Sequence, residues 1–211
     1  HITYNDDAMI GVMNLFRNIV QGSGDLEFVS SDIRRQCDRA LQRGLQCILK
    51  TQIRVDGRLT AWCAQHDVKT LAPAKARSYE LPSISGNESV GIVRYLMKIE
   101  DPDNDVVAAI EGAISWFERV QLKGLRQVKV EAPAAPNGMD IKVIPDPSAP
   151  PLWARFYDLQ TQQPFFCSRD GIPKKTIAEI SHERRNGYSW LGTYAAELLQ
   201  KHYPLWKKNR G

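Results

Sequence analysis

The residues best suited to chemistry fall in a few short groups along the chain. Lys75-Ala-Arg77 lies in a polar loop that Pro73 and Pro82 keep irregular, with Tyr79 beside it. A cationic loop held between ordered elements can bind an anion, and an arginine fork matches a carboxylate with two parallel hydrogen bonds. Arg155-Phe-Tyr-Asp158 and Arg169-Asp-Gly171 alternate charge with aromatic rings, a composition suited to a groove that holds an acidic polymer. Charge pairing within a hairpin is the alternative use of those residues. Asn5-Asp-Asp7 gathers hard oxygen donors that could hold calcium. Spacing alone favours a simpler role, with Asp6 capping a helix and Asp7 complementing its dipole. Glu183-Arg-Arg-Asn-Gly-Tyr188 reads as structural, with Gly187 marking a turn.

Several kinds of chemistry find no support. No GxSxG, GxGxxG or phosphate-binding loop occurs, so serine-hydrolase and nucleotide chemistry have no motif. His66 and His182 have no partner at metal-ligand spacing. The four cysteines, at positions 37, 47, 63 and 167, lack CxxC spacing. Cys37 and Cys47 share a helix about 15 Å apart, too far to bond. Cys63 with Cys167 is the one pair that could form, and four small buried hydrophobes is the preferred reading. Net charge is a mild +4 with both signs mixed along the chain, which argues against nucleic acid. No apolar run is long enough to span a membrane.

Helices must position these groups. Apolar spacing predicts a helix over 7–20, then a long one over 32–53 with Ser31 as its cap. Ser85-Gly-Asn-Glu88 opens a third helix that ends near Ile99. Asp101-Pro-Asp103 caps a fourth, over 104–121. Arg58 to Gln65 reads as extended. Short strands are expected over 127–131 and 141–144, and over 153–158 and 164–168 around the turn at Thr161-Gln-Gln163. Residues 132–151 read as a surface loop. A short helix over 175–181 and a final one over 190–202 complete the chain. The rhythm is of helix hairpins with long loops, as in a toroid or bundle.

Ordered blocks across nearly the whole chain resemble the pectate lyases of polysaccharide lyase family ten. They are His1-Ile-Thr-Tyr-Asn-Asp6, Trp62-Cys-Ala-Gln-His66, Lys75-Ala-Arg77 with Tyr79-Glu-Leu81, Ser85-Gly-Asn-Glu-Ser-Val-Gly91, Trp153-Ala-Arg-Phe-Tyr-Asp158, Phe166-Cys-Ser-Arg-Asp-Gly171 and Glu183-Arg-Arg-Asn-Gly-Tyr-Ser-Trp190. The resemblance implies a mainly α fold, an (α/α)3 toroid of antiparallel helix pairs whose long loops contain short strands. It implies cleavage of polygalacturonate by anti β-elimination, with Ca2+ bridging enzyme and substrate. Carried over by position, Asp6 would be a calcium ligand and Arg77 the catalytic base. Arg155 and Arg169 would bind substrate carboxylates, with Lys75 a neighbouring candidate. A secreted monomer is implied as well. Arginine is an awkward base because its pKa exceeds about 12. A strongly cationic setting favours its neutral form, and electrostatic stabilisation is the alternative role.

Family members carry more chain ahead of the block that contains His1. Residues 1–211 are therefore expected to be one catalytic domain incomplete at its N-terminus, with its missing helices and a further calcium-binding aspartate elsewhere. A toroid without those helices would expose an apolar face. Two other readings stay open. One is a non-catalytic polygalacturonate-binding module. The other is an inverting glycoside hydrolase on an α/α toroid that uses Asp6 or Glu88.

Overall fold

The computed structural model describes residues 1–210. Helix α1 (Ala8–Gln21) and helix α2 (Ser31–Thr51) form a hairpin. Gly22 ends α1 in the left-handed conformation, with φ 66°, which a residue without a Cβ adopts at little cost. Arg34, in the first turn of α2, then clasps the connection. Its guanidinium donates to the carbonyls of Ile19, Leu26 (2.9 Å), Glu27 (3.2 Å) and Val29 (3.0 Å). These bonds occupy acceptors that the helix end and the turn leave free. The cap of α2 is Ser30, not Ser31: its Oγ accepts from the Ile33 amide at 3.5 Å. The helix stops at Thr51 because Gln52 is extended, with ψ 125°. The Gln52 side chain donates to Thr60 and Ala109 carbonyls, which ties the hairpin to the next layer.

Helix α3 (Glu88–Leu96) and helix α4 (Asn104–Arg119) make a second pair. Both are shorter than the periodicity predicts. Asp103 caps α4 by accepting from the Val106 amide at 2.8 Å. Helix α4 buries Val106, Ala109, Ile110, Ala113, Ile114, Trp116 and Phe117. Since α3 also packs on α1, and α4 on α2, the helices enclose one core. The fold is mainly helical, as expected.

The strands are short and mostly join distant segments. Ile2–Thr3 pairs with Gln65–His66, Ile84–Ser85 with Phe156–Tyr157, and Trp153–Ala154 with Leu191–Gly192. The turn at Thr161-Gln-Gln163 is closed by a single bridge, Tyr157 to Pro164, so 153–158 and 164–168 find most of their partners elsewhere. Leu125–Glu131 and Met139–Pro145 pair over their full length. Within the region 132–151 read as a surface loop, the strand expected over 141–144 is longer, Met139–Pro145, and forms the second arm of this hairpin. Residues 182–187 form a short helix, α5 (His182–Gly187), where the sequence suggested only a turn. The final helical stretch begins after Ala195, because Leu191–Gly192 is a strand, and runs into α6 (Tyr203–Lys208).

Four tryptophans, 62, 116, 153 and 190, are fully buried. Three of their indoles bind loops to helices: Trp62 donates to Ile48 O (2.8 Å), Trp153 to Phe117 O (2.9 Å) and Trp190 to Arg184 O (2.9 Å). All four cysteines are free; Cys37, Cys63 and Cys167 are buried, and Cys167 belongs to the apolar core. His66 is a core residue, bonded to the Cys63 amide and the Leu71 carbonyl. On the α1–α2 hairpin, Val12, Leu15, Phe28 and Ile33 are exposed.

Candidate active site

The Ser85-Gly-Asn-Glu88 segment does more than start a helix. The Ser85 hydroxyl accepts from the Glu88 amide (3.2 Å) and donates to the Glu88 carboxylate, a variant of the capping box. Gly86 lets the chain cross residues 154–155 at close range: its amide donates to Arg155 O at 2.9 Å. A Cβ there would stand 2.1 Å from Ala154 O. This crossing seats Arg155 on Glu88, with Nη2 2.5 Å from Oε1.

Three predicted residues, Arg77, Arg155 and Arg169, converge around two tyrosines, Tyr79 and Tyr188, whose rings meet edge to face at 5.1 Å. Arg155 lies over the Tyr188 ring at 4.7 Å, and Arg169 over Tyr79 at 5.8 Å. Arg77 donates to the Tyr79 hydroxyl (3.3 Å) and lies 3.5 Å from Glu80 Oε1. Glu80 is buried and also accepts from the Tyr188 hydroxyl at 2.7 Å. Lys75 reaches the turn that follows Arg169, within 3.8 Å of where a Gly171 Cβ would stand. Asp6 Oδ1 is 3.6 Å from Arg155 Nη2.

The cations differ in availability. Arg77 and Arg169 are exposed, with side chains 58% and 65% accessible, whereas Arg155 is only 10% accessible. Arg155 Nε is buried without a hydrogen-bond partner. Burial opposes the Arg155 charge, but Glu88 outweighs it and the pKa rises. The Tyr79 hydrogen bond and then the Glu80 charge raise the pKa of Arg77 as well. The surroundings thus favour the charged form of Arg77. Arg169 pairs with Glu183 at 2.9 Å, and Arg184 shares that carboxylate. The two arginines hold Glu183 down to about 2.

Asp6 and Asp7 occupy consecutive left-handed positions, with φ 51° and 56°. Aspartate tolerates that region better than most residues, yet it is a local cost that marks functional segments. Neither side chain caps a helix: Asp7 sits at the cap of α1 without a capping hydrogen bond, so the capping role suggested by spacing is not used. Asp7 packs on α3 where Gly91 leaves room, since a Cβ there would meet its Oδ1 at 2.2 Å. Asn5 Nδ2 holds Asp6 Oδ2 at 2.7 Å. Asp6, Asp7 and Asn87 line a cavity of about 260 Å³ that also touches Glu88, Arg94 and Tyr194. Oxygen donors of this kind fit a calcium ion in type. They fall short in number, since no three His, Cys, Asp or Glu side chains converge among the described residues. Further oxygens would have to come from water, a bound ligand or other chain.

A family model described as pectic acid lyase matches residues 1–199. The chain belongs to the pectic acid lyase family. Among solved structures, the family 10 polysaccharide lyase from Cellvibrio cellulosa is similar, with a TM-score of 0.85 and 32% identity over 96% of this chain and 61% of that one. A mutant of that lyase in complex with trigalacturonic acid matches with a TM-score of 0.85 and 32% identity, over 96% and 62% of the two chains. The present chain thus spans less than two thirds of those structures. A search of curated proteins finds no match.

Within this pectic acid lyase fold, sequence reading missed three contributors to the site. Tyr188 lies in a segment that reads as structural, yet it carries Arg155 and bonds Glu80. Arg184, set aside for the same reason, is buried over the Tyr79 ring at 4.6 Å. Glu80 stood inside a recognisable block with no role assigned. Its one available signal was an acidic residue three places after Arg77.

Proposed function

We propose that this chain is the catalytic portion of a pectate lyase that cleaves polygalacturonate by calcium-dependent anti β-elimination, giving 4,5-unsaturated oligogalacturonides. The observation that carries the reading is the convergence of Arg77, Arg155 and Arg169 on the Tyr79–Tyr188 floor. The trigalacturonic acid complex of the Cellvibrio lyase mutant supports an oligogalacturonate substrate. In this reading the (α/α)3 toroid is completed by further helices over the exposed apolar face of α1 and α2, and the enzyme acts as a secreted monomer.

The reaction removes the C5 proton, alpha to the uronate carboxylate, and expels the C4 oxygen. The existing carboxylate charge makes that proton a poor acid, so positive charge placed beside it lowers the barrier. Arg169 is exposed, and its acidic partner is shared with Arg184, so a substrate carboxylate can take its donors. Arg155, largely buried and paired with Glu88, adds positive charge without a free donor at the surface from Nε. Lys75 adds a flexible charge beside Arg169. Arg77 is the catalytic residue. Its raised pKa supports transition-state stabilisation, and service as a base would need further positive charge brought close to it. Calcium held with Asp6 would supply neutralisation of the uronate carboxylate.

Two alternatives make different products. A hydrolase reading needs a free acid, and Glu88 is 1% accessible and ion-paired. Incubation with polygalacturonate separates the readings. Calcium-dependent ultraviolet absorbance from the unsaturated product supports the lyase. New reducing ends without that chromophore mean a hydrolase. Retention of the polymer without cleavage means a binding module.

A further inference from the structure

We infer that Glu88 is a positioning residue: it holds Arg155 off Asp6 and so keeps Asp6 open to a divalent cation. The inference rests on the reading above, in which Asp6 is a metal ligand.

One nitrogen, Arg155 Nη2, faces two carboxylates. It lies 2.5 Å from Glu88 Oε1 and 3.6 Å from Asp6 Oδ1. The nearer acid is also the better placed to win. Glu88 is 1% accessible and Asp6 is 73% accessible, so water screens the Asp6 contact far more. Glu88 is fixed from its other side by the Ser85 hydroxyl, with Asn87 Nδ2 at 3.4 Å. Arg155 is confined from below by the Tyr188 ring. The guanidinium therefore cannot serve both acids at contact distance, and the fixed one keeps it.

The consequence concerns Asp6. Asn5 engages Oδ2, Oδ1 faces Arg155, and Asp6 lines the cavity. A contact ion pair at Oδ1 would compete with a metal for the same lone pairs. Removing the Glu88 charge leaves Asp6 as the acid nearest Arg155. The guanidinium then closes the gap, and the cation must displace it.

The test is Glu88→Gln in the full chain, which keeps the shape and an oxygen acceptor for Ser85. Calcium alone is titrated by calorimetry without substrate. The dissociation constant is expected to rise roughly two- to fivefold, the scale of one partly exposed ion pair. Loss of the Glu88 charge also weakens calcium directly, so the same substitution is repeated in an Arg155→Met background. A purely electrostatic effect is the same in both backgrounds, and that result overturns the inference. A positioning role predicts that the penalty largely disappears with Arg155 gone.

The structure of metal-free Glu88→Gln gives a second readout that needs neither the double variant nor metal. Arg155 Nη2 within about 3 Å of an Asp6 oxygen supports the inference. An unmoved guanidinium overturns it. A wild-type chain that binds calcium no better than its Asp6→Asn variant refutes Asp6 as a ligand instead, and leaves the Arg155 displacement to be judged on the structure alone.

Discussion

Replacing Gly86 by alanine tests whether the chain crossing beneath the site is built as described. The new Cβ would meet Ala154 O at 2.1 Å and Tyr157 Cε2 at 3.1 Å. The first obstacle is backbone in a ladder, so the two segments must separate. Separation breaks the Gly86–Arg155 amide bond of 2.9 Å and strains the Ile84–Tyr157 and Ser85–Phe156 pairs. Loss of the bond costs about 1 kcal/mol and the overpacking about 1–3 kcal/mol, so about 2–4 kcal/mol is expected. For a chain of this size, that lowers the melting temperature by about 10 °C. Gly11 supplies the control. It lies in α1 with nothing within 4 Å of its would-be Cβ. Gly11→Ala should gain about 0.5–1 kcal/mol and melt about 2–4 °C higher. Far-ultraviolet circular dichroism during heating measures both. A Gly86→Ala protein that melts within about 2 °C of wild type would refute the crossing.

Arg77→Ala should abolish formation of the unsaturated product while leaving the far-ultraviolet spectrum unchanged, and retained activity would remove it from catalysis. Asp6→Ala should raise the calcium needed for half-maximal activity sharply; an unchanged requirement excludes Asp6 from the metal site. Arg169, then Arg184, depress Glu183 to about 2. The stability this carboxylate contributes is therefore complete above its unfolded pKa of about 4.3 and is lost as pH falls through about 2. Glu183→Gln should flatten the acid limb of a stability–pH profile in that window, and an unchanged limb refutes the pairing. Burial raises the pKa of Cys63 and Cys167. A thiol reagent should thus leave both unmodified in the native protein and react with all four cysteines only after denaturation; rapid native labelling at Cys63 would contradict its burial.

The sequence made the long helices legible because α1, α2 and α4 each bury a stripe at helical spacing. Strand pairing was not legible. A two-residue ladder such as Ile84–Ser85 with Phe156–Tyr157 has no period to detect, and its partners lie far apart in the chain. Helix α5 was hidden because its six residues end at a glycine that also suits a turn. At the site, Arg77, Arg155 and Arg169 stood out as loop cations within recognisable blocks. What holds them did not. Glu88 reads in sequence as a helix start or a hydrolase acid, and nothing in a linear string shows that the same carboxylate receives a guanidinium from 67 residues away.

Tyr188 binds the parts of this surface into one inheritance unit. Its hydroxyl reaches the acid beside Arg77, and its face supports Arg155. A drift in the 75–80 loop therefore changes what is tolerated at position 155, and the reverse holds too. Lineages that retune one end of the groove should carry compensating substitutions at the other, with the phenol between them slow to vary.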